Sequence, residues 1–73
     1  MIEIRLFATL RENREKILYY EAEGLHTVTD ILHRLAIPSA DVAILLINGI
    51  HAKPADSVKD HDIIALFPPV GGG

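Results

Sequence analysis

Thr27-Val28-Thr29-Asp30-Ile31-Leu32-His33-Arg34-Leu35 is the one stretch of this chain with the period of a helix. Val28, Ile31, Leu32 and Leu35 fall at i, i+3, i+4 and i+7, so four apolar side chains share one stripe. Thr27 stands before the first of them and Asp30 three residues later. That is a capping-box arrangement with aspartate in the place of glutamate. Asp30 also puts negative charge in the first turn, where the helix dipole favours it. Pro38 disfavours helical geometry in the residue before it, so the helix is expected to end near Ala36 or Ile37. A short helix with one apolar stripe must lie across something, and its flanks read as strands.

On the N-terminal side, Met1 to Phe7 alternates Ile2, Ile4 and Leu6 with Glu3 and Arg5, the period of a half-buried strand. Ala8 to Glu15 is a polar connection. Lys16 to Glu21 is rich in β formers, so the two strands are expected to pair as a hairpin. On the C-terminal side, Val42 to Ile47 is apolar on both faces, which calls for cover on both or a contact surface on one. Asn48-Gly49 signals a type I′ turn into a return strand at Ile50-His51-Ala52, ended by Pro54. Ala55 to His61 is a polar connection with a turn at Asp60-His61, and Asp62 to Phe67 is the last strand. The order β-β-α-β-β-β, with one helix on a small mixed sheet, is an α+β class and the β-grasp arrangement. The expected core is Ile2, Ile4, Leu6, Val28, Ile31, Leu32, Leu35, Leu45, Ile47, Ile64 and Leu66.

The chain has 73 residues, 49% of them hydrophobic and 5% aromatic. It is read as a single domain over 1–73, with 68–73 as an extended, mobile tail. A domain this small buries only about 60% of its unfolded surface, which leaves little room for a deep active site. There is no cysteine, hence no disulfide and no thiolate metal site. The net charge of -3 argues against nucleic acid and for a partner with a basic docking surface. Neither a signal peptide nor a membrane-length apolar run is present, so a cytoplasmic protein without a membrane partner is expected.

Internal chemistry is sparse. His26, His33, His51 and His61 lack metal-ligand spacing and read as surface or turn residues, so no metal is assigned. Ser39 and Ser57 have neither a glycine elbow nor an obvious base. Gly24 and Gly49 make no phosphate loop. The acidic residues read as solvated surface. The end of the chain is different: Phe67-Pro68-Pro69-Val70-Gly71-Gly72-Gly73 follows the last strand directly. Two prolines cannot continue a ladder and favour extended geometry. Gly-rich ends are common as linkers, but a linker has no need of a rigid Pro-Pro. A thin glycine end can thread a narrow passage, which makes the Gly73 carboxylate the candidate reactive group. A carboxylate is a poor electrophile until adenylated. The chain has neither a nucleotide site nor a thiol, so a partner must supply both.

The chain resembles the ubiquitin-like sulfur carriers, which include the small subunit of molybdopterin synthase and the thiamine-pathway carrier. The resemblance covers essentially the whole chain. It rests on Met1 to Arg11, on Thr27-Val28, on Ile47-Asn48-Gly49, and on Asp62 to Val70 running into the glycines. Phe67-Pro68-Pro69-Val70 favours the molybdopterin branch. Two features depart from it: three terminal glycines, with Gly71 where another small residue is usual, and a short helix-to-strand connection.

The resemblance implies that Gly73 is adenylated by an enzyme like the ubiquitin-activating one, which uses ATP. Sulfur from a cysteine-derived persulfide then replaces the adenylate and leaves a thiocarboxylate. Gly71 and Gly72 would line the passage into the partner. The chain itself would bind no cofactor and would not be an enzyme alone. Its further partner would be the large subunit of molybdopterin synthase or, in the thiamine branch, thiazole synthase. The reading of another class is a ubiquitin-like binding module or a modifier attached to lysines.

Strand parity adds a docking expectation. With Ile2, Ile4 and Leu6 inward, Phe7 faces outward, and with Ile64 and Leu66 inward, so does Phe67. Phe7 and Phe67 are expected to centre the partner-binding surface, with Arg11 at its edge and Pro68 and Pro69 leading into the tail.

Overall fold

The computed structural model describes residues 1–69. Five strands form one sheet in the order β2-β1-β5-β3-β4. They are β1 (Ile2–Leu6), β2 (Ile17–Tyr20), β3 (Ile44–Ile47), β4 (Ile50–His51) and β5 (Ile63–Phe67), with the single helix α1 (Val28–Leu35) between β2 and β3. β1 runs parallel to β5 and antiparallel to β2, and β3 is antiparallel to both β5 and β4. This is the β-grasp fold, a mixed sheet with one helix laid across it.

The alternation in β1 does what its period requires. Ile2, Ile4 and Leu6 are at most 1% exposed, while Glu3 and Arg5 turn to the other face. Ile64 and Leu66 of β5 lie beside them, in register with Ile4 and Leu6. The stripe of α1 closes this core, with Val28, Ile31, Leu32 and Leu35 all buried. Asp30 supplies the acidic half of the capping box. Its Oδ2 accepts the backbone N–H groups of His26 at 2.8 Å and Thr27 at 3.1 Å. Those two bonds hold its carboxyl below the ordinary value of 3.8. The next helical N–H groups, of Val28 and Thr29, donate to the carbonyls of Asp56 and Pro54. The 54–56 loop thus satisfies donors that a helix start otherwise leaves open. α1 ends at Leu35, and Ala36 takes the left-handed cap position at φ 58°.

Several expectations need correction. The strands at 1–7 and 42–47 are shorter, Ile2–Leu6 and Ile44–Ile47, because 3-10 turns at Ala8–Arg11 and Ser39–Asp41 take up their flanks. Ile47 is only half-buried, near the sheet margin beside exposed Ile50. The core also takes in Leu10 and Val58, inside connections that read as polar, and Leu25 and Ile37, which flank the helix. Nor are all acidic residues solvated: Asp62 is 4% exposed. Its carboxylate accepts from Asn48 Nδ2 and from the Lys59 N–H, both at 2.9 Å. Asn48 Oδ1 in turn accepts the Ile63 N–H at 2.9 Å. The Asn48-Gly49 turn, with φ of 52° and 83°, is thereby clamped to the start of β5.

Among the described residues no helix is long and apolar enough to cross a membrane, and no cluster of His, Cys, Asp or Glu could hold a metal ion. The expected tail passage at Gly71 and Gly72, and the reactive Gly73, lie outside the described residues.

Candidate functional site

Phe7 and Phe67 stand at the C-terminal ends of neighbouring strands. The pairing of β1 with β5 continues one step past Leu6, where the Phe7 N–H donates to the Leu66 carbonyl at 3.2 Å. Both rings therefore leave the sheet on the face away from α1. They stack with centroids 4.2 Å apart and planes within 9° of parallel. Each is half-buried because it covers the other.

After Phe7 the chain turns sharply. Ala8 has φ 52°, a left-handed conformation that costs an alanine energy, and the turn Ala8–Arg11 follows. Its Leu10 drops into the core and its Arg11 swings back. Arg11 Nε donates to the Leu6 carbonyl at 2.9 Å, and the guanidinium carbon sits 5.5 Å from the centre of the Phe7 ring. A cation so placed is drawn to the aromatic face. Phe7, Arg11, Phe67, Pro68 and Pro69 thus come together. An open groove of about 420 Å³ runs between Phe7, Thr9, Ile44, Phe67, Pro68 and Pro69, at the root of the chain end.

Strand β3 extends the patch. Ile44 pairs with Phe67 and Leu46 with Ala65 on the same face, and Ile44 is 39% exposed. The apolar outer face of this strand was legible as a contact surface, although Ile44 was not singled out. Arg5, placed on the outer face by parity, and Lys16 were not singled out as site residues. With Arg11 they flank a second groove at Phe7 and Ile17. Of the three cations, Arg5 is paired with Glu3 across the face. The groove is thus lined by cations although the chain as a whole carries -3.

A family model described as the ThiS family matches residues 4–73. Small archaeal modifier protein 3 of Haloferax volcanii is 31% identical over 90 aligned positions, which cover 99% of this chain and 98% of that protein. The crystal structure of SAMP1 from Haloferax volcanii superposes with a TM-score of 0.75 at 31% identity, over 99% of this chain and 98% of that one. A chain of the complex of subunits 1 and 2 of molybdopterin-converting factor from Helicobacter pylori 26695 superposes with a TM-score of 0.66. It is 23% identical, over 99% of this chain and 97% of that one, and speaks for the fold alone. With the β-grasp sheet and a family match over nearly its whole length, this chain belongs to the ThiS family of ubiquitin-like proteins.

Proposed function

We propose that this protein is a sulfur carrier whose reactive group is the carboxylate of Gly73. The observation that supports it most is the family match over residues 4–73, which takes in Gly71-Gly72-Gly73. A partner enzyme joins the carboxylate to the α-phosphorus of ATP, and pyrophosphate leaves. The outer sulfur of a persulfide on the partner then attacks the acyl carbon and AMP leaves, and a thiol of the partner reduces the resulting S–S bond, forming a disulfide and releasing the thiocarboxylate. Its sulfur displaces a leaving group from an acceptor held by a second partner, and water then cleaves the bond between the acyl carbon and that sulfur, which leaves the sulfur on the acceptor and restores the carboxylate. Adenylation matters because it exchanges a very poor leaving group for a good one. The carrier contributes reach and docking. Glycine at 71 and 72 has no Cβ to block a narrow passage, and the Phe7–Phe67 pair with Arg11 anchors the body beside the root of the tail. The Phe-Pro-Pro-Val block favours molybdopterin assembly, with a large synthase subunit as acceptor-side partner.

A second reading has its own support, since the Haloferax volcanii relative is named a modifier protein. The same acyl-adenylate could end in an amide bond to a lysine. The test incubates the purified chain with ATP and the activating enzyme of its own source, with and without a sulfur donor. The carrier reading expects no product heavier than the chain on a denaturing gel, and sulfur transfer only with donor. Lysine-linked adducts that form without donor would overturn it in favour of the modifier.

A further inference from the structure

The two edges of the sheet differ. β4 offers two residues, whereas β2 offers four. The ladder between β1 and β2 settles which groups of β2 are free. The Leu6 N–H donates to the Lys16 carbonyl, and Ile4 faces Leu18 while Ile2 faces Tyr20. In an antiparallel ladder hydrogen-bonded pairs alternate with non-bonded ones. Lys16, Leu18 and Tyr20 therefore bond inward to β1, while the N–H and C=O groups of Ile17 and Tyr19 point out of the sheet. Among the described residues neither N–H donates to another group. Their side chains are uncommonly exposed for apolar residues, at 40% and 58%.

Beside this edge, on the helix side, lies an open groove of about 520 Å³ between β2 and α1. Leu18, Tyr20 and Leu35 give it an apolar floor, and two arginines, Arg14 and Arg34, stand over it with one acid, Glu15. Arg34 sits 5.3 Å from the centre of the Tyr20 ring. Among the described residues neither arginine pairs with a carboxylate.

We propose that this edge is a second docking site, filled by an extended segment of a partner protein that joins the sheet as a sixth strand beside β2. Main-chain bonds to Ile17 and Tyr19 would hold it, as in other cases of strand addition. An apolar side chain opposite Leu18 fills the groove, and an acidic one on either side meets Arg14 and Arg34. A second copy of this chain fits less well. The antiparallel register with the longest overlap, Ile17 against Tyr19 of the second copy, also sets Glu15 against Glu21 twice over, and like charges directly opposite destabilise a ladder; registers that avoid this pair Ile17 or Tyr19 only with itself. The β2–α1 groove shares no residue with the groove at Phe7 and Phe67, although the edge itself meets the Phe7 surface at Ile17.

The test is an amide chemical-shift titration of the labelled protein with a capped pentapeptide, aspartate-valine-isoleucine-valine-aspartate. The expected result is shifts centred on Ile17, Leu18, Tyr19 and Arg34. Arg34→Glu should weaken binding several-fold. Tyr19→Pro should abolish it, because proline removes an outward N–H that β1 does not use. Shifts centred on Phe7 and Phe67, or none at millimolar peptide, overturn the proposal. So does sedimentation as a dimer without peptide together with broadening confined to β2, which would make a second copy the occupant. Retained dispersion of the core amides in both variants separates lost binding from lost folding.

Discussion

Replacing Phe7 and Phe67 by alanine, singly and together, tests whether the rings form one unit in solution. A phenylalanine gains about 1.5–3 kcal/mol when fully buried. Each of these rings is half-buried, so its burial is worth roughly 1 kcal/mol on that scale. The stack at 4.2 Å adds about 0.5–1.5 kcal/mol. Each single truncation should then cost about 1.5–2.5 kcal/mol of folding stability, and the second should cost less once the first has removed the stack. The double variant should fall short of additivity by about 0.5–1.5 kcal/mol, the stack counted once. Urea unfolding measures this, provided the slope with denaturant is the same in all four proteins. If the rings also anchor partners, each truncation weakens binding to the activating enzyme by about 2 kcal/mol, or roughly thirtyfold. Calorimetry on variants still fully folded at the working temperature separates the two effects. Additive stabilities, within about 0.3 kcal/mol, would show that the rings do not touch. Unchanged affinity in folded variants would remove them from the docking surface.

Other perturbations follow from the same geometry. Leu32→Ala, on the buried stripe of α1, should cost about 2–5 kcal/mol in a denaturation experiment, and a negligible loss would mean the stripe does not pack. Asp62→Ala leaves Asn48 Nδ2 and the Lys59 N–H without their acceptor, at about 1–3 kcal/mol. Amide exchange at Lys59 should quicken, and unchanged exchange would contradict the clamp. The Asp30 carboxyl is held down by the N–H groups of His26 and Thr27. Its contribution to stability is therefore present above the ordinary value of 3.8 and lost as pH falls through the lower folded value. Melting curves for the protein and for Asp30→Asn should differ above pH 3.8 and converge below it, and a gap that stays constant would exclude the cap. Asp60, held down by the bond from the N-terminal ammonium, acts in the same direction.

What could be read in advance was what local pattern encodes. The stripe Val28–Leu35, the cap at Thr27 and Asp30 and the turn at Asn48-Gly49 are each set by residues within a few positions of one another. Strand parity also placed Phe7 and Phe67 on the outer face. The stack itself was not legible, because it depends on β1 lying parallel and in register with β5, a pairing between residues some sixty positions apart in sequence. The buried Leu10, Leu25 and Val58 were missed because each is a lone apolar residue in a connection, and Ile37 because it follows the helix outside its i, i+3, i+4, i+7 stripe. Asp62 read as a surface acid because its partners, Asn48 and Lys59, lie in other turns. The local basic character around Phe7 was hidden for a similar reason: Arg5, Arg11 and Lys16 come from three elements, and net charge averages them with distant acids.

The central claim is that Gly73 carries activated sulfur, and intact mass tests it most directly. The full chain and a variant lacking Gly73 are each incubated with ATP, the activating enzyme and a sulfur source, then weighed. The full chain should gain the mass of one oxygen-for-sulfur exchange, located by fragmentation at its last residue, while the shortened chain should stay unchanged. An unmodified full chain under conditions where the enzyme consumes ATP, or equal modification of both chains, would contradict the account.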